Sequence, residues 1–359
     1  MQLGSERYSF GYNKFRLDVE ARPNDNILIG ASLNAQQYWG KTNWNIFDFI
    51  PNKQDMVMYY YLPDTLLLDN VYMKISFPLI DVTLGRQQIS PGVAYAWNPT
   101  DIFNHKTLMD PSYEQPGVDV IRLDLPLGDR STAISIIEPG DDIESSTMQL
   151  VLKGGLGSFD FGITVVKQYA PTNETPILGD PYIEERDLVG GSVIGELFGW
   201  GVWTEIAHST LNTTYFPPWS SIAYPLPRDP FTEYILGLDH TFDNSFYLLA
   251  EFLHNEDGKK DISDLTLTDY LASLGGGTHS LMQDYAFLYA MHPTFDYVSL
   301  SALVIANFND NSGTFAPQLE WNVFQNTNIS LQSSLFWGDD DTEFGLQDWG
   351  LRLRVRSDF

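Results

Sequence analysis

The chain has 359 residues, no cysteine, 43% hydrophobic and 14% aromatic residues, and a formal net charge of −27. The absence of cysteine excludes a disulfide framework, a zinc–thiolate site, a thiol nucleophile and covalent c-type haem. The charge argues against nucleic acid as a partner, because its phosphates are repelled.

No apolar run approaches the ~20 residues of a transmembrane helix, but a barrel strand crosses a bilayer with only ~9–11 alternating residues. The opening Met1-Gln2-Leu3-Gly4-Ser5-Glu6 lacks the basic segment and apolar core of a signal peptide, so an exported form is expected to be mature or trimmed.

Successive side chains of a strand point to opposite faces, and that alternation runs from end to end. Phe15, Leu17, Val19 and Ala21 alternate with Arg16, Asp18 and Glu20 before a tight turn at Arg22–Asn26. Pairs of alternating segments follow around 71–84, 121–136, 148–165, 187–208, 234–252, 285–304 and 319–335. The last segment sets Trp349, Leu351, Leu353 and Val355 against Arg352, Arg354 and Arg356.

Connections alternate between short turns and longer segments at about 41–62, 90–116, 170–184, 210–230 and 256–280. One short-turn rim and one long-loop rim is the wiring of a transmembrane barrel, lipid outside and water inside. The expected fold is all-β, a single transmembrane antiparallel up-and-down β-barrel over residues 1–359. About seventeen strands are countable, an odd number where single-chain bacterial barrels are even. Eighteen strands are expected for the complete barrel, with sixteen the alternative. The extra one is either an upward strand trimmed from the N-terminus or a segment hidden in 41–62, with Met56–Leu62 the candidate.

Polar members of each strand line the lumen of such a barrel. By alternation the channel-lining set is Arg16, Asp18, Glu20, Arg122, Asp124, Asp160, Glu205, Asp239, Glu251, Asp284, Glu320, Arg352, Arg354 and Arg356. The arginines of the closing strand read equally as an anion-attracting strip or as partners of Asp18 and Glu20 in a bracing ion-pair lattice. Segment Ser90–Gly117 is the candidate constriction, combining Trp97 and other aromatics with Asp101, His105, Lys106, Asp110 and Glu114. Its composition leaves inward and outward folding both open. Trp39, Tyr72, Tyr169, Trp200, Trp203, Tyr297, Trp337 and Trp349 fit interfacial girdles.

Acid-rich loops read first as solvated surface. Asp339, Asp340, Asp341 and Glu343 are a weak calcium candidate, and no other cofactor is implied. Enzyme signatures are absent: there is no Gly-x-Ser-x-Gly, His-Glu-x-x-His or phosphate-binding glycine loop. Within His208-Ser209, neighbours on a strand point apart, so they make a poor nucleophile–base pair.

The terminal strand ending on Phe359 resembles the way outer-membrane proteins of double-membraned bacteria end. Gly85-Arg86-Gln87, Trp97-Asn98-Pro99-Thr100-Asp101, Pro116-Gly117-Val118-Asp119 and Arg122-Leu123 resemble porin-like barrels related to the alginate-export family. The resemblance covers roughly 66–128 closely and the remaining chain loosely. It implies a porin of the bacterial outer membrane, a passive channel for small hydrophilic solutes or ions. Acidic lumen positions point to a mild cation preference. Alternatives are a sheath for a partner protein such as an electron-transfer cytochrome, and below it a polysaccharide export channel. Lipid and lipopolysaccharide are the expected surroundings, with a homotrimer or a periplasmic or extracellular protein as further partners.

Overall fold

A computed structural model describes residues 2–3, 6–52, 55–103, 115–171, 182–215, 224–227, 229–267, 269–270 and 280–359. Among these, seventeen strands of seven or more residues form the wall. They are β1 (Phe10–Asn24), β2 (Ile27–Gly40), β3 (Thr65–Ser76), β4 (Asp81–Gln87), β5 (Val118–Gly128) and β6 (Ser131–Glu138). Next come β7 (Thr147–Leu156), β8 (Phe159–Pro171), β9 (Tyr182–Leu197), β10 (Trp200–Tyr215), β11 (Phe231–Thr241) and β12 (Tyr247–Asn255). The last are β13 (Asp284–Phe295), β14 (Val298–Asn307), β15 (Ser312–Phe324), β16 (Thr327–Trp337) and β17 (Gln347–Ser357).

Each pairs antiparallel with the next in the chain, so the wall is an uninterrupted meander. The rising segment Gln2–Leu3 pairs with the long-loop end of β17, Gln2 opposite Trp349 and Leu3 opposite Gln347. It also pairs with Glu6–Arg7, from which the chain enters β1, so the two ends of the sheet are drawn together. The strand sought within 41–62 is not in the wall. Tyr59–Tyr61 pairs instead with Asn43–Asn45 in a separate two-stranded sheet within the loop after β2, too short to span the wall.

No helix among the described residues is long and apolar enough to cross a membrane. The outer face of the wall is a bare apolar surface: Leu66 is 72% exposed, Leu353 69% and Val355 64%. A soluble monomer rarely leaves so contiguous an apolar face uncovered, whereas a barrel in hydrocarbon must present one.

Close backbone approach fixes one glycine of the Gly85-Arg86-Gln87 motif. Gly85 has φ +109°, and a Cβ there would lie 2.3 Å from the Val71 carbonyl oxygen. Gly85→Ala is expected to cost about 1–3 kcal/mol through backbone strain, read as a lower urea midpoint of the lipid-embedded barrel by tryptophan fluorescence. An unchanged midpoint would contradict the strain.

Alternation misassigned β13. Asp284 faces outward, 2.7 Å from His254 Nδ1, and Tyr285 and Phe287 are the inward side chains, each 2% exposed. Both faces of this strand are apolar, so sequence alternation carried no information about which face is inner.

Candidate functional site

The inner face is divided into two unlike arcs. From β5 to β14 its middle part carries a band of apolar side chains, with a buried Arg186–Glu233 ion pair (2.9 Å) above it. Val151, Val166, Leu188, Ile235, Leu249 and Phe287 are all nearly fully buried there. What covers them is the segment between β4 and β5. Ile89, Ile102 and Phe103 pack against Val120, Ile136, Val166 and Leu188, while Ala94 and Ala96 pack with Trp203, Ile235, Leu249 and Phe287. The described part of this segment therefore lies inside the barrel, seated on one side.

Two wall carboxylates hold it. Glu205 on β10 is fully buried and accepts hydrogen bonds from Val93 N (3.0 Å), Thr100 N (2.8 Å) and Thr100 Oγ1 (2.7 Å). Glu251 on β12 is 3% exposed and accepts from Tyr95 N and Ala96 N, both at 2.5 Å, and from Trp203 Nε1 at 2.6 Å. Lys153 Nζ donates to the Pro91 carbonyl (3.1 Å), and Gln149 Nε2 to the Thr100 carbonyl (3.0 Å). Wall glycine makes room as well: a Cβ on Gly190 would sit 2.5 Å from Thr100 Cγ2.

Glu205 and Glu251 thus point inward as alternation indicates but do not line water. Backbone N–H groups of the segment consume their acceptor capacity, because a buried N–H without a partner is costly. Each is the lone acid of its strand, and Glu251 sits in a run apolar on both faces, Leu248-Leu249-Ala250-Glu251-Phe252-Leu253. That isolation is the signal in the sequence for a buried acceptor. Trp203 is also inside, bonded to Glu251, rather than in an interfacial girdle. Tyr72 is inside too, its ring lying over Gly30.

The other arc, β15–β17 and β1–β4, is polar within. Arg352, Arg354 and Arg356 face Gln332, Ser330 and Asn328 across β16. Arg16 Nε holds the Asp18 carboxylate at 2.9 Å, Ser32 Oγ donates to the same group at 2.5 Å, and Arg22 Nε lies 2.9 Å from Glu20. Asp18 and Glu20 are therefore paired within their own strand, a two-residue spacing that puts both partners on one face. The same device joins Arg122 Nη2 to Asp124 at 2.8 Å. Glu320 accepts from Asn328 Nδ2 at 2.8 Å, and Asp239 from the Tyr247 hydroxyl at 2.8 Å. Asp160 lies at the short-turn rim, 2.5 Å from Arg130 Nη2. The side chains of Asp18 and Glu20 are 59% and 54% exposed, so solvent reaches this arc.

Of the constriction set, Trp97 contacts Tyr285 and Phe287, and Asp101 is buried with its carboxylate accepting from Phe103 N at 3.2 Å. His105, Lys106, Asp110 and Glu114 lie outside the described residues.

The calcium candidate does not assemble. Among the described residues no three acidic or histidine side chains converge as a metal site. Glu343 turns away from the exposed Asp339, Asp340 and Asp341 and accepts from Tyr285 Oη (2.6 Å) and Asn307 Nδ2 (2.8 Å). Burial raises its carboxyl to about 7, with Asp310 adding to the rise. An acid whose folded value lies above its ordinary 4.5 favours the protonated, docked loop. Docking of 338–346 is therefore fully favourable below about 4.5 and weakens as pH rises through about 7. Limited proteolysis of this loop is expected to accelerate from pH 6 to pH 8, and Glu343→Gln to flatten the dependence. A slope retained in that variant would assign the titration elsewhere.

No family model matches the chain, and no curated protein matches it in sequence. Solved structures do match. OccK3 (OpdO) of Pseudomonas aeruginosa superposes with a TM-score of 0.53 at 8% identity, over 96% of this chain and 91% of that one. OccAB3 of Acinetobacter baumannii gives 0.52 at 9% identity, over 96% and 90%. OccK9 (OpdG) of P. aeruginosa gives 0.52 at 10% identity, over 96% and 89%. At such identities the likeness speaks to architecture alone, and with the meander described above it establishes that the chain has the fold of a porin-type β-barrel.

Proposed function

We propose that the chain is an outer-membrane channel through which small hydrophilic solutes and ions diffuse passively. The observation that carries this reading is the pairing of a solvent-exposed, charged inner arc with an apolar outer wall, the segment seated on Glu205 and Glu251 lying along the other side of the lumen. Like charge along such a passage sets which counter-ions concentrate in it. The arc is mixed in sign, and the net charge of −27 favours cations at the mouths, so a mild cation preference is expected.

Lipid and lipopolysaccharide surround the apolar wall in this reading, and self-association as a trimer belongs to it as well. Kinship with porin-like barrels related to the alginate-export family is proposed on the Gly85-Arg86-Gln87 and Trp97–Asp101 motifs. The segment occupying one side of the lumen argues against a second protein threaded through it. Incorporation into a planar bilayer tests the function. Discrete ohmic steps are expected from the chain alone, and a folded barrel that never conducts would reject the channel.

A further inference from the structure

One feature of the lumen exceeds what seating the segment requires. Strand β13 descends from the long-loop rim to the short-turn rim, and an aromatic stair follows it. Trp97 meets Phe287 edge-on at 6.2 Å between ring centroids. Tyr95 tilts over Phe287 at 5.6 Å and stacks on Tyr289 at 6.2 Å. Tyr289 meets Tyr247 of β12 at 6.3 Å, and the Tyr247 hydroxyl donates to Asp239 Oδ2 at 2.8 Å.

The upper step is packing: Phe287 is 2% exposed beneath the segment. The lower steps are different. Tyr95 is 51% exposed, and Tyr289, Tyr247 and Asp239 are half-buried on the inner face. Small polar residues would hydrate that wall at lower cost, since aromatic surface left in water forfeits its burial free energy.

We propose that Tyr95, Tyr289, Tyr247 and Asp239 form a subsite for a neutral saccharide on its way through the channel. A pyranose ring offers an apolar C–H face to a phenol ring and a rim of hydroxyls to a carboxylate or phenol oxygen, and this stair supplies both at successive steps. Charge narrows the choice of solute. A cation gains from Asp239 but must pass Arg352, Arg354 and Arg356 of the polar arc, while an anion meets the reverse. A neutral polyol exchanges hydrogen bonds with both signs. The inference rests on the channel reading and names its solute class.

The test is single-channel recording in a planar bilayer with maltotriose, using tetraethylammonium chloride as the cationic comparator. Current interruptions are expected to rise with maltotriose concentration and saturate. Tyr289→Ala and Tyr247→Ala are each expected to weaken the apparent affinity roughly 3–10-fold. Tyr247→Phe keeps the ring and is expected to weaken it less, which separates stacking from a disturbed fold. A barrel that conducts but shows no interruption by maltotriose, or is interrupted by tetraethylammonium alone, overturns the subsite and leaves the channel standing. A folded barrel that does not conduct overturns the channel and the subsite with it.

Discussion

Glu251→Ala is expected to free the inward segment and raise single-channel conductance, with added open-channel noise. The substitution removes the shared acceptor of Tyr95 N, Ala96 N and Trp203 Nε1 at one stroke. Each buried donor left without a partner costs about 1–3 kcal/mol, so for three donors the local loss is about 3–9 kcal/mol. That is a large share of the ~5–15 kcal/mol by which a native domain is stable. The apolar contacts of Ala94 and Ala96 with Ile235 and Leu249 remain, so the segment is expected to loosen rather than leave entirely. Glu205→Gln tests the second anchor more gently. Its amide keeps one oxygen for Thr100 but turns an N–H₂ toward Val93 N, setting donor against donor. The double variant is expected to show the largest and noisiest conductance. Wild-type conductance in the double variant would mean the segment does not narrow the passage.

Reversing the closing strand is expected to change which ions pass. Arg352, Arg354 and Arg356 all replaced by glutamate alter the polar arc by six charges along a single strand. In a potassium chloride gradient the reversal potential should move toward the potassium equilibrium value, with the cation-to-anion permeability ratio rising on the order of several-fold. High salt is expected to shrink the effect, because the Debye length falls to ~3 Å at 1 M. If these arginines instead brace the wall, the variant will lose thermal stability with selectivity unmoved. Arg356 Nε already lies 3.0 Å from Asp358, so some bracing is present at the rim.

Most of the architecture follows from period two alone. Leu351, Leu353 and Val355 against Arg352, Arg354 and Arg356 identify a lipid-facing and a water-facing side without any neighbour. The same period fails on β13, where Tyr285 and Phe287 alternate with Ala286 and Leu288 and both faces are apolar. It also mistakes a direction for an environment. Glu205 and Glu251 point inward like Asp18 and Glu20, yet the first two are sealed under the segment and the latter stay wet. The difference comes from residues more than a hundred positions away, Val93–Thr100, which no local pattern relates to β10 or β12.

Strand period, turn spacing and rim wiring are properties of neighbouring residues, so a barrel with an apolar outer wall was legible from the chain alone. Which way the 88–103 segment folds, which acids it consumes, and which arc remains open to water were decided only in the tertiary structure. Those outcomes depend on pairing buried N–H groups with distant carboxylates, and on covering an inner apolar face that exists only once the wall has curved around it.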